Sequence, residues 1–390
     1  MPAPVPESRP FRPGESPVFL AGRGDVRAEL NDLVDLLGQL WRPLILEGPR
    51  GVGKTSLIEW ADQSIANAGS LHIKLEARPG ESLFDLLARW ITENAALMAE
   101  FGISPSTGGA TTDIELNVAP VRIKRSSSKV TAETPNTASG ALLPILDALG
   151  QRQSGVVISV DEAQVGGVPL MLEISSLLTS ARNGRWRLGF LIAGLPTLRD
   201  QITPNRQNKG SLGQLERAAW YAIDAHLSMG ETTQAISEPL RQLGIAISSD
   251  AIERIYGLTA GYPYAVQLLG HAIWSASSPR TTTIDLPQVL SAERLFQKSL
   301  RDSLLISRWR QLSEQERTYA AVMARILGDG VTTNADVARS LGKQPSETTY
   351  LRQRLLDKGL LVKNDLHPRQ MAFIVPALAA FILEQLERDE

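Results

Sequence analysis

The densest chemistry in the chain lies in Gly48-Pro49-Arg50-Gly51-Val52-Gly53-Lys54-Thr55-Ser56, which has the spacing G-x-x-x-x-G-K-[ST]. Glycines at those positions let backbone N–H groups curl around phosphate oxygens, and a helix opening at Lys54 adds the positive end of its dipole. The Lys54 ammonium can then reach the β- and γ-phosphates, and the Thr55 hydroxyl can ligate Mg²⁺. This spacing reads as a nucleotide site with residues 48–56 as its cradle. Such a loop needs a strand before it and a helix after it. Pro43 to Glu47 is a short apolar run, and Lys54 to Ala66 has helical spacing.

A second set of reactive residues closes another apolar run. Val156-Val157-Ile158-Ser159-Val160 is followed by Asp161 and Glu162. At the C-terminal end of a buried strand, Asp161 would hold Mg²⁺ through water beside Thr55, and Glu162 would polarise the attacking water. Adjacent acids also cap ordinary turns. After a phosphate loop and at the end of a buried strand, they point to hydrolysis as well as binding.

The elements that position these residues alternate. A helix from Arg27 to Leu40 precedes the first strand. Ser70 to Arg78 reads as a strand, Leu83 to Phe101 and Gly140 to Leu149 as helices, Gly155 to Val160 as a central strand, and Pro169 to Arg182 as a helix. Trp186 to Ala193 and Trp220 to Leu227 supply two more strands. Residues 103–139 interrupt the pattern with Ser, Thr, Gly and Pro. Within them Asp113 to Lys124 reads as a hairpin turning near Ala119-Pro120, with a basic end at Arg122, Lys124, Arg125 and Lys129. From Thr232 to Ser275 the pattern is helical. Alternating strands and helices followed by a helical block imply an α/β domain and a helical subdomain.

Composition bounds the rest. The chain has 390 residues, 43% apolar and 21% charged, enough for two or three domains with real cores. Its 40 Lys and Arg against 42 Asp and Glu leave a net of -2, which excludes a globally basic nucleic-acid binder but not a local patch. With no Cys, there are no disulfides, thiolate metal sites or Cys nucleophiles. The 4 His form no HxH or HxxxH pair, so a His-rich metal site is not expected. No apolar run is long enough to span a bilayer, and the N-terminus has no signal-peptide core. A cytoplasmic location and no membrane partner are the expectation. The first 18 residues carry six prolines, which reads as an extended arm, free or docked.

With these residues in view, the chain resembles the AAA+ P-loop ATPases, in the branch joining origin-initiator ATPases to STAND signalling ATPases. Phe19-Leu20-Ala21-Gly22-Arg23 with Glu29 resembles the segment that precedes the phosphate loop there, although Gly24 stands where Glu is usual. Gly261-Tyr262-Pro263 resembles the branch's GxP motif. The resemblance implies that Arg23 and Pro263 approach the nucleotide base. It also implies that Arg217, before the last core strand, reaches a neighbouring subunit's γ-phosphate. No sensor-2 arginine is present. The implied fold is a three-layer AAA+ core with a parallel sheet, a helical lid and a C-terminal winged helix. The corresponding segments are an arm at 1–18, a core at 19–227, a lid at 228–300 and a winged helix at 301–390. ATP and Mg²⁺ are the implied cofactors.

The C-terminal segment has its own pattern. Ser313 and Glu316 form a capping box before a helix with Tyr319, Val322, Met323, Ile326 and Leu327 on one face. Thr333 to Leu341 and a helix from Pro345 come next, then a hairpin from Leu360-Val362 and Met371-Val375. The helix from Pro345 would be a recognition helix, with Tyr350, Leu351, Leu355 and Leu356 inward. Thr348, Thr349, Arg352 and Arg354 would face outward, with Lys343 before the helix and Arg369 at the wing. The reading is an ATP-dependent molecular switch with double-stranded DNA as partner. Its rivals are a signalling or defence switch acting on protein partners or as a homo-oligomer, a loader or transposition-accessory ATPase, and a small-molecule kinase.

Overall fold

Five strands, all parallel to their neighbours, form the central sheet of the computed structural model, in the order Leu71–Glu76, Val156–Asp161, Leu188–Gly194, Leu44–Glu47 and Ala219–Ala222. The structure describes residues 9–39, 42–99, 103–107, 114–118, 121–123, 142, 145–146, 154–203, 212–278, 281–327, 330–363, 367 and 369–389. In chain order the elements are α1 (Gly24–Asp35), β1 (Leu44–Glu47), α2 (Lys54–Asn67), β2 (Leu71–Glu76), α3 (Leu83–Glu93) and α4 (Ala95–Ala99). An antiparallel sheet comes after them, β3 (Ile103–Thr107), β4 (Ile114–Val118) and β5 (Val121–Ile123). Then come β6 (Val156–Asp161), α5 (Gly167–Gly184), β7 (Leu188–Gly194), α6 (Leu198–Ile202) and β8 (Ala219–Ala222).

The expected hairpin is present as β4 and β5, paired Val118 to Val121. Its turn at Ala119-Pro120 lies outside the described residues, as do Lys124, Arg125 and Lys129. The third strand, β3, was not legible, because Pro105 within it argues against a strand.

Strand β7 is buried along its whole length and β6 up to Val160, as a central parallel strand must be. Alternate residues point to opposite faces. Ile73, Leu75, Ile158, Val160, Phe190 and Ile192 pack with Leu86, Leu87, Ile174 and Leu177 of α3 and α5. On the other face Gly189 meets Leu33 and Leu37, beside α1. The result is three layers.

The chain divides into two units, of which one holds Arg23–Glu47 and Leu57–Ala222, and so the whole parallel sheet. Inside it His72 is held by two partners. One ring nitrogen, Nδ1, meets Asp62, and Nε2 lies 2.9 Å from the Ser159 hydroxyl. Lys74 binds Asp62 at 2.6 Å and Glu59 at 3.0 Å. Burial lowers the His72 pKa below the ordinary value of 6.5, against the opposing pull of Asp62. A neutral ring donating to Asp62 and accepting from Ser159 satisfies both nitrogens. The unfolded chain therefore takes up this proton at a higher pH than the folded one. The contribution is complete above pH 6.5 and is lost as pH falls below it. His72→Gln should flatten that loss, whose slope is at most about 1.4 kcal/mol per pH unit. Urea midpoints at pH 7.5 and 5.5 measure it; equal pH dependence in the two proteins would refute the assignment.

The other unit holds Met1–Gly22, Gly48–Ser56 and Ile223–Glu390. Its elements are α7 (Met229–Arg241), β9 (Ala246–Ile247), α8 (Ser249–Thr259), α9 (Pro263–Ala276), β10 (Thr283–Ile284) and α10 (Leu286–Leu300). Ser228 and Glu231 form a capping box that starts α7. The short parallel pair β9–β10 interrupts the expected all-helical stretch. Phe11 is 2% exposed and fills the space left by Gly270 on α9, so the described part of the N-terminal arm is docked.

After a π-helical turn at Arg301–Leu305 come α11 (Ile306–Arg310), α12 (Glu314–Leu327), β11 (Thr332–Thr333), α13 (Asn334–Ser340), α14 (Pro345–Asp357), β12 (Leu361–Lys363), β13 (Gln370–Phe373) and α15 (Ala377–Asp389). Strands β11, β13 and β12 make an antiparallel sheet in that order.

Candidate nucleotide site

The loop at 48–56 leaves the C-terminal end of β1 and runs into α2, the setting its sequence required. Gly51 and Gly53 have φ of 81° and 97°, a region that suits glycine and turns successive N–H groups toward one side. At Gly51 a side chain is also excluded by space, since a Cβ would fall on the Tyr262 hydroxyl. Lys54 is 5% exposed, and its ammonium donates to the Gly48 and Pro49 carbonyls, each at 2.8 Å. A positive charge is thereby fixed inside its own loop. Thr55 and Gly51 are exposed. This donor set suits a polyphosphate: backbone N–H groups, one ammonium, and a hydroxyl of the kind a hard cation takes.

Asp161 ends β6, on the same edge of the parallel sheet as Glu47, the last residue of β1. Glu162 is next, in a left-handed conformation with φ 50°, and its N–H donates to the Asp161 carboxylate at 2.8 Å. Its own carboxylate accepts from Gln164 Nε2 at 2.6 Å. The Gln164 side-chain oxygen in turn accepts the Leu195 N–H at 3.0 Å, just past β7. Gln164 was not legible as part of this arrangement, because its role depends on the Leu195 backbone.

Arg217 is exposed at the end of a one-turn helix, before the edge strand β8. Arg199 also reaches this edge. It donates to Glu47 at 2.9 Å and stacks 4.3 Å from the Trp220 ring. Arg23 is 8% exposed and precedes α1 with φ 59°. Glu29 pairs with Arg42 at 3.2 Å, and a hydrogen bond from the Tyr221 hydroxyl to Glu29, with burial, pushes that phenol up to about 12.

Pro263 stands at the start of α9, where a missing N–H costs nothing. The neighbouring Tyr262 is fully buried, and its hydroxyl donates to the Arg50 carbonyl at 2.6 Å. The loop is thus tied to the motif through Tyr262, the motif's middle residue, to which the sequence pattern assigns no role.

On α14 two expectations are reversed. Thr348 is fully buried, with its hydroxyl 3.1 Å from the Asn334 side-chain oxygen, whereas Tyr350 is 48% exposed. Arg354 is exposed but pairs with Glu316 at 2.9 Å, and Lys358 does so at 2.7 Å. Burial pushes the Glu316 carboxyl up, but hydrogen bonds from Lys358 and Ser313 outweigh it and hold the carboxyl below its ordinary value. Arg354 is therefore part of the packing of α14. Exposed cations among the described residues nearby include Lys343, Lys363 and Arg369.

The parallel sheet, its flanking helices and the loop after β1 define a three-layer α/β fold of the P-loop NTPase kind. The Walker-type ATPase PABY2304 of Pyrococcus abyssi superposes with a TM-score of 0.62 at 16% identity, covering 93% of this chain and 96% of that one. Looser likenesses are Cdc6p from Pyrobaculum aerophilum (TM-score 0.47, 12% identity, 96% and 97% covered) and the Thermotoga maritima RuvB Holliday junction branch migration motor (0.43, 14%, 90% and 92%). A domain family described as "Domain of unknown function (DUF8462)" matches residues 302–382. No curated protein matches the chain. Among the described residues no helix is long and apolar enough to cross a membrane.

Proposed function

We propose that the chain is an ATP-hydrolysing molecular switch with a DNA-associated output. The observation that carries this reading is the loop at 48–56, with its left-handed glycines and enclosed Lys54 ammonium. Residues 48–56 hold the phosphates, and Arg23 and Pro263 face the base. Thr55 and Asp161 hold Mg²⁺, which supplies charge neutralisation at the phosphates. Glu162 accepts the proton of the attacking water, and Arg217 serves a neighbouring copy.

We divide the chain into an arm at 1–18, a core at 19–227 with an insertion at 103–139, a lid at 228–300 and a winged helix at 301–390. The order α12-β11-α13-α14-β12-β13 supports that last reading. A cytoplasmic location accords with it. Arg354 is occupied by Glu316, so DNA contacts fall to Lys343, Arg352 and Arg369. The exposed Tyr350 favours a second reading, a signalling switch whose C-terminal domain meets protein.

The test is binding of labelled duplex with Mg-ATP over a salt series. Replacing Lys343 and Arg369 by Ala should lower the log–log salt slope by roughly 1.8, for two lost phosphate contacts. An unchanged slope, or no binding by the wild type, would favour the protein-facing reading.

A further inference from the structure

Arg308 on α11 is a buried guanidinium, 7% exposed, that meets three distant parts of its own unit. Its Nη1 donates to the Lys358 carbonyl at 2.8 Å and to the Gly359 carbonyl. Its Nη2 lies 3.3 Å from the Tyr262 hydroxyl and 3.4 Å from the Arg50 carbonyl. These partners are carbonyls and a phenol, with no carboxylate among them. The site is closely built. A Cβ on Gly359, which has φ 65°, would collide with the guanidinium and would also touch Pro49. His226 Nε2 donates to the Ile374 carbonyl at 2.8 Å, and its ring meets Tyr262 edge-on at 6.5 Å.

The consequence for the loop comes from peptide geometry. In a trans peptide the C=O and the next N–H point in opposite directions. Two donors, Tyr262 and Arg308, converge on the Arg50 carbonyl. They fix the direction of the Gly51 N–H, which points away from them. We propose that Arg308 and Tyr262 are positioning residues for the phosphate loop. They aim the Gly51 N–H at bound phosphate, and through Arg308 they link nucleotide binding to the turn at Lys358–Gly359 between α14 and β12. The proposal rests on the nucleotide reading and adds two residues outside the loop motif. It also gives that reading an output path, because a linkage of this kind is reciprocal. Whatever nucleotide gains from an ordered turn, the turn gains from nucleotide.

The experiment titrates Mg-ATP and adenosine into the full chain by calorimetry, for wild type, Arg308→Ala and Tyr262→Phe. It also tracks amide exchange at residues 358–363 with and without Mg-ATP. Arg308→Ala should weaken ATP by about 5- to 150-fold, the usual range of a coupling between sites, and leave adenosine unchanged. A general loss of structure would weaken both ligands. In the wild type, Mg-ATP should slow exchange at 358–363, and in Arg308→Ala it should not. Tyr262→Phe keeps the packing and loses one donor, so it should show a smaller loss in the same direction, and it carries the test if Arg308→Ala does not fold. ATP affinities within twofold of wild type in the folded variants would overturn the proposal, as would ATP that binds the wild type without changing exchange at 358–363. A wild type that binds no ATP would instead overturn the nucleotide reading itself.

Discussion

Glu162→Gln should slow ATP turnover by about 10²–10⁴-fold, the range for a positioned general base, with ATP affinity nearly unchanged. A base that takes the proton of the attacking water acts in the transition state, so its loss appears in kcat and not in ground-state binding. Gln keeps the shape of Glu and removes the negative charge. The Glu162 carboxylate accepts from Gln164 through one oxygen, and a carboxylate can accept several hydrogen bonds at once, so a water can be held beside that partner. The Gln variant, with ATP retained, should form larger species if Arg217 completes a neighbour's site, and Arg217→Ala should then lower wild-type turnover. Phosphate release and light scattering are the measurements. Wild-type turnover in Glu162→Gln would remove the catalytic assignment. A size that does not depend on ATP would remove Arg217 as a finger.

Lys54→Ala should lose ATP binding by about 10²-fold or more. A charged hydrogen bond is worth about 1.5–3 kcal/mol, each 1.4 kcal/mol is a factor of ten, and the ammonium can serve more than one phosphate oxygen. The structure adds a cost the motif did not announce. Lys54 satisfies the Gly48 and Pro49 carbonyls, so its removal leaves at least the buried one without this donor. A stability loss of about 1–3 kcal/mol is the expected result. Calorimetric titration with ATP, on protein shown to be folded by circular dichroism, separates the two effects. Unchanged affinity in a folded variant would sink the assignment of residues 48–56.

The residues legible in the sequence alone were those whose chemistry is local. Glycines at fixed spacing and a Lys-Thr pair at a helix start are recognisable because neighbouring backbone groups do the binding. The run from Val156 to Val160 was legible as a central strand because a strand buried on both faces needs no polar alternation. The switch from alternating to helical pattern announced the parallel sheet and the helices beyond it.

Tertiary structure decided everything that turns on a partner far along the chain. Tyr262 and Arg50 are 212 residues apart, and Arg308 and Lys358 are 50 apart. No periodicity encodes a phenol or guanidinium donating to a distant carbonyl. Thr348 was expected outside and Tyr350 inside on polarity alone. Helical spacing puts Thr348, three residues before Leu351 and seven before Leu355, on their buried face, and Tyr350, one residue before Leu351, off it. Asn334 makes a threonine tolerable there, because its side-chain oxygen is within reach of the Thr348 hydroxyl. A polar side chain is buried at small cost only where a partner waits for it, and here the partner is supplied by another helix. The same reasoning holds for Arg354, which reads as a surface cation until Glu316 of α12 is found buried against it.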